Sequence, residues 1–210
     1  TISNGAFASY KGLTSVRIPD AVNVLGADAF YNCTGLETVD IGSGVTSLSP
    51  SAFFRCSALS SITSTSMKYE ATSDNRCLVD YEGRLLNFAW KGASASYDIP
   101  SSTASFTVKH IAPEVFNSCE GITAFTIPET VEGIGQLAFY SPDIEIVYCK
   151  CKVPPTLNWS DNVTESSIGG WIVGNSHLPF RCPVYVPSAS LELYQADSKW
   201  AKLNISGYDF

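Results

Sequence analysis

The only imidazoles in the chain belong to His110 and His177, so any acid–base or metal chemistry has to be assembled around these two or from carboxylates and thiols. His177 lies shortly before Cys182, and Cys149 and Cys151 add two further soft donors. Zinc sites usually pair cysteines across two to four intervening residues, whereas Cys149 and Cys151 flank Lys150 alone. The set is therefore read as holding no metal, and His110 as a turn or partly buried structural residue. Asp28, Asp40, Glu114 and Glu129 fall at different positions of the repeat described below, so they solvate a surface rather than form a working carboxylate pair. No phosphate-cradling glycine loop, no nucleophile elbow and no HExxH helix is present. No catalytic residue and no cofactor is expected.

What remains is recognition, and composition narrows it. Charged residues make up 16% of the 210 residues against a usual share of about 25%. A net charge of −7 and a pI near 4.7, without a basic run, exclude nucleic acid and anionic membrane surfaces as natural partners. No stretch approaches the roughly 18 apolar residues of a membrane span. The chain starts at Thr1 without Met or a leader, as a mature or trimmed chain would, which leaves its destination open.

The elements that position any binding residue follow from a repeat. Ile2, Leu25 and Leu48 open successive units, Ile111 and Ile134 open two more, and consecutive openings are 23 residues apart. The same types recur in phase: Ala6-Phe7, Ala29-Phe30, Ala52-Phe53, Val115-Phe116 and Ala138-Phe139, then Leu13, Leu36, Leu59 and Ile122, then Val16, Val39, Ile62 and Phe125. Each unit ends on an alternating segment such as Thr38-Val39-Asp40-Ile41, whose period of two predicts a short strand with one buried side. The Ala-Phe segment predicts one or two helical turns that carry Phe inward. One coil cannot bury its own apolar edge, so stacking must supply the core.

Cys33, Cys56 and Cys119 occupy one repeat position, with Tyr10 at its equivalent, which is the behaviour of small core residues and not of a disulfide framework. A bridge from Cys149 or Cys151 to Cys182 stays open. Between Ile62 and Ile111 the phase breaks, and the apolar runs on either side of Tyr81-Glu82-Gly83 predict an inserted hairpin. The fifth unit is one residue short around Pro142 and lacks the cysteine. After Cys151 the pattern stops; Cys182-Pro-Val-Tyr-Val-Pro187 reads as one more strand, followed by a helix with Ser188 as N-cap and Leu191, Tyr194 and Trp200 inward.

The unit IxxxAFxxCxxLxxVxIP resembles the BspA-like leucine-rich repeat of bacterial surface proteins, strongly over Ile2 to Ile62 and Ile111 to about Tyr148, and the closing segment from Val184 to Ile205 resembles the module that ends such arrays. The resemblance implies an α/β leucine-rich-repeat solenoid over 1–152 with coils of about 23 residues, short parallel strands and short helical turns, an irregular hairpin insertion over about 65–108, and a C-terminal capping module over 153–210. It further implies a cell-surface or secreted, non-catalytic protein that binds or adheres to a host matrix or surface protein.

Outward strand positions are the first candidate face: Ser15, Arg17, Thr38, Asp40, Ser61, Thr63, Ala124, Thr126, Ile146 and Tyr148. Without a ligand they would form only a solvated Ser/Thr ladder. Because interfaces enrich Tyr and Trp, Tyr148, Trp159 and Trp171 are the second candidate surface, either for a protein or for a glycan.

Overall fold

The computed structural model describes residues 1–141, 143–157 and 182–210. The chain divides into two compact units, Thr1–Ala93 with Ser102–Phe106 and Ser94–Ser101 with Thr107–Phe210. Each unit is built on stacked coils.

In the first unit the coils contribute β1 (Ser15–Ile18), β2 (Val24–Leu25), β3 (Thr38–Ile41), β4 (Ser47–Leu48) and β5 (Ser61–Ser64). Strands β1, β3 and β5 run parallel in one sheet, with Val16 beside Val39 beside Ile62. β2 pairs with β4, and Ile2 bridges to Leu25. The 23-residue period is therefore the register of the sheets, as the repeat predicts. Antiparallel β6 (Tyr69–Ala71), β7 (Cys77–Asp80) and β8 (Arg84–Phe88) form the inserted element, with Gly83 at φ 81° in its turn. Within this unit, Thr103 and Ser105 donate to the Glu70 carboxylate and hold the returning segment 102–106 in place.

The Ala-Phe segments are not helical turns, with one short 3-10 turn at Pro50–Phe53 as the exception. Alternate N–H groups point along the stack instead: Phe7 to the Ala29 carbonyl at 2.8 Å, Ser9 to Tyr31 at 2.7 Å, Phe30 to Ala52 at 2.8 Å. Residues placed in the left-handed region, Ser9, Asp28, Asn32 and Arg55, turn these peptides toward the neighbouring coil. A free helix would spend its N–H groups internally, whereas this geometry ties each turn to the next one. The phenyl rings follow the backbone into a column: Phe7, Phe30 and Phe53 stack at 5.2 and 5.5 Å. Phe7, at the start of the column, is 46% exposed, whereas Phe30 and Phe53 are buried.

The second unit carries β9 (Ser96–Asp98), β10 (His110–Ile111), β11 (Ala124–Ile127), β12 (Gly133–Ile134), β13 (Ile146–Cys149), β14 (Thr156–Leu157), β15 (Pro183–Pro187) and β16 (Asn204–Tyr208). β9, β11, β13, β15 and β16 form a parallel five-stranded sheet, and β10, β12 and β14 pair parallel beside it. Within this unit Phe116 and Phe139 stack at 5.0 Å. Ser141 takes over where the short fifth coil lacks its cysteine: its buried hydroxyl donates to the Cys119 carbonyl at 3.3 Å. Pro142 lies outside the described residues.

The closing helix α1 (Leu191–Ala196) starts later than expected, because Ser188 opens a 3-10 turn and Ser190 precedes the helix without a side-chain cap. Tyr194 and Trp200 are fully buried and meet edge to face at 4.8 Å. The Tyr194 hydroxyl donates to the Cys151 carbonyl at 2.8 Å, and the Trp200 indole N–H to the Pro155 carbonyl at 2.7 Å. Two large rings thus cover the last coil while their polar atoms satisfy its carbonyls.

Candidate functional site: the outward sheet faces

All seven cysteines are thiols, and Cys33, Cys56, Cys77, Cys119, Cys149 and Cys151 are buried. No bridge joins Cys149 or Cys151 to Cys182. Cys33 and Cys56 donate to the Phe7 and Phe30 carbonyls of the preceding coil at 3.1 and 3.2 Å. Burial pushes the Cys56 and Cys182 thiols up to about 12, and the contact with Cys149 together with burial drives Cys151 far above its ordinary value. Such thiols stay protonated and are poor nucleophiles or ligands. Among the described residues no group of His, Cys, Asp and Glu could hold a metal ion. Acidic residues act locally: Asp20 accepts from the Ser43 N–H at 2.8 Å, which lowers its pKa.

In the first unit the register aligns Arg17, Asp40 and Thr63 across β1, β3 and β5, with Ser15, Thr38 and Ser61 beside them. The row is internally satisfied. Arg17 Nη1 lies 3.5 Å from Asp40 Oδ2, and the Thr63 hydroxyl donates to Asp40 Oδ1 at 3.1 Å. An exposed pair of this kind contributes roughly 0–1 kcal/mol and leaves little unspent polarity for a partner.

In the second unit the equivalent row runs Asp98, Thr126, Tyr148, Tyr185 and Ser206 across the five strands. Strand alternation turns Val147, Val184 and Val186 inward, so Tyr148 and Tyr185 face out by the same period. Their rings stack at 5.5 Å with an interplanar angle of 20°. Tyr208, at the end of β16, meets Tyr148 and Tyr185 at 5.4 and 5.5 Å with steep interplanar angles, and Phe210 lies 5.0 Å from Tyr208. Tyr208 is 43% and Phe210 51% exposed, so four rings make a continuous outward aromatic patch with Lys150 Nζ 5.9 Å from the Phe210 ring. Ala124, one of the expected outward positions, is 7% exposed because its small side chain sits in register between Ser96 and Ile146.

Six copies of the BspA type leucine rich repeat region match residues 1–76 and 91–157. The chain belongs to this family. Among solved structures it is similar in fold to a leucine rich cell surface protein from Faecalibacterium prausnitzii A2-165, with a TM-score of 0.57 and 20% identity over 99% of this chain and 63% of that one. A leucine-rich repeat protein from Eubacterium ventriosum ATCC 27560 gives a TM-score of 0.57 and 16% identity over 99% of this chain and 57% of that one. No curated protein matches the chain.

On this BspA type scaffold the expected site residues fall into separate groups. Arg17, Thr38, Asp40 and Thr63 lie on the first unit's sheet, and Thr126 and Tyr148 on the second's. Trp159 and Trp171 lie outside the described residues, as does His177. The partners of Tyr148 that sequence reasoning missed are Tyr185, Tyr208 and Phe210. A period-two reading of Pro183–Pro187 already points Tyr185 outward, but nothing local says which strand lies beside it.

Proposed function

We propose that this chain is a non-catalytic recognition module, secreted or displayed at the cell surface, that binds a protein ligand such as a host matrix or surface protein. The observation that carries this reading is the outward row of Tyr148, Tyr185, Tyr208 and Phe210 on the second unit's sheet, half-buried at Tyr148 and Tyr185 and exposed at Tyr208 and Phe210. Interfaces concentrate their energy in Tyr, Trp and Arg, and rings already packed against each other lose little side-chain freedom on binding. The family assignment and the cell-surface description of a similar structure support the location. Thr126 flanks the row, while Arg17, Thr38, Asp40 and Thr63 form a second, internally paired candidate face.

The test is a binding screen against immobilised matrix proteins. Tyr185→Ala with Tyr208→Ala should abolish a signal that Arg17→Ala with Asp40→Ala leaves intact, and the reverse pattern would move the site to the first unit. The alternative occupant is a glycan, tested at Trp159, Trp171 and Tyr208. A glycan array that responds to Trp159→Ala, Trp171→Ala or Tyr208→Ala while no protein binds would establish that alternative.

A further inference from the structure

We propose that the outward row of the second unit binds an extended proline-rich segment with a basic residue at one end, an inference that rests on reading this face as the docking surface. The spacing makes the case. Parallel strands lie about 4.8 Å apart, so alternate strands of the row are separated by roughly 9.6 Å. A polyproline II segment rises about 3.1 Å per residue and repeats every three residues, close to 9.3 Å. Such a segment lying across the strands therefore presents equivalent side chains to every second strand. With a basic residue over Asp98 on β9, the residue three places on lies over Tyr148 on β13, and the next equivalent residue reaches the end of the row, beside Tyr185 and Tyr208.

The chemistry of the row agrees with that occupant. Asp98 is exposed and is the one charged side chain among Asp98, Thr126, Tyr148, Tyr185 and Ser206. The chain is acidic overall, at −7, which attracts a cationic segment and repels an anionic one. Tyr148 and Tyr185 turn their ring faces toward each other, and Tyr208 meets both at more than 60°, so solvent meets ridges and clefts between ring edges. Prolyl rings seat in aromatic-lined clefts of this kind, whereas a sugar stacks best on an open, flat ring face. A polyproline II backbone has no internal hydrogen bonds, and the phenol hydroxyls are donors for its free carbonyls.

The experiment uses the full chain and three short labelled peptides, followed by fluorescence anisotropy: one of the pattern Arg-x-x-Pro-x-x-Pro, one with Glu in place of Arg, and one with Gly in place of both prolines. The Arg peptide should bind about tenfold or more tighter than either control, as expected for losing one central contact. Asp98→Asn should remove its advantage over the Glu peptide. Tyr185→Ala, and independently Tyr208→Ser at the exposed rim, should weaken it while circular dichroism keeps the signal of the folded chain; Lys11→Ala, at an exposed position of the first unit, should change nothing. Equal binding of the three peptides, or binding insensitive to Asp98→Asn and to both tyrosine variants, overturns the proposal. If a folded protein ligand is lost with Tyr185→Ala while no peptide binds, the polyproline inference falls and the docking face stands; if neither depends on these tyrosines, the docking face falls too.

Discussion

Phe30 and Phe7 are the same residue at the same repeat position, yet their surroundings set different energies. Phe30 is sandwiched between two rings and buried, so Phe30→Ala should cost on the order of 3–5 kcal/mol by urea denaturation. Phe7 is 46% exposed and stacked on one side, so Phe7→Ala should cost about 1–2 kcal/mol. The buried thiols bring a pH dependence. Burial raises Cys56 from 9.0 to about 12, so the unfolded chain ionises first as the pH climbs. This contribution to stability is complete below pH 9 and is lost between pH 9 and 12, by about 3 kcal/mol at pH 11. Urea midpoints measured from pH 7 to 11 should therefore fall, and Cys56→Ala, less stable at neutral pH, should show a shallower fall.

At the level of the coil, strand register was readable in advance because side-chain type tracks burial: Val16, Val39 and Ile62 align in the sheet as they align in the repeat. The connecting turns were not readable in the same way. Their left-handed positions are filled by Gly5, Ser9, Asp28, Asn32, Arg55, Glu114, Ser118 and Leu137; Gly, Asp and Asn favour this region, but Arg55, Glu114 and Leu137 at the same repeat positions do not, so residue type gave no consistent sign of the backbone. Ser118 tests the conformation, being exposed at φ 57° with its hydroxyl donating only to the neighbouring Asn117 Oδ1 at 2.7 Å, a bond that Gly and Val both remove. Ser118→Gly should be close to neutral and Ser118→Val should cost about 1–2 kcal/mol, since a branched Cβ is crowded there. Gly44 is glycine for a different reason. A Cβ built there would collide with the Asp20 carbonyl of the preceding coil, so Gly44→Ala must separate the coils locally and should lower the thermal midpoint by several degrees.

For the molecule as a whole, no helix among the described residues is long and apolar enough to cross a membrane. The aromatic patch shows where sequence reading ran out. Tyr148 was singled out, but its neighbours come from strands that a 23-residue phase does not connect, since β15 and β16 belong to no repeat. Only the order of strands in the sheet, β13 then β15 then β16, gathers Tyr148, Tyr185 and Tyr208. If this patch is the docking face, raising the salt concentration should weaken a basic ligand modestly and leave a purely aromatic contribution in place, which titrations at two ionic strengths would separate.

The hydrogen bonds that run from one turn to the next, Phe7 to Ala29 and Phe30 to Ala52, also bear on heredity. A duplication or loss in the coding DNA that spans one whole repeat returns every left-handed residue, phenyl ring and thiol to its proper neighbour. A change of any other length has to be absorbed within one connecting turn, as the 22-residue step from Phe125 to Val147 is. Array length can therefore drift between descendants in whole steps without an intermediate that fails to fold.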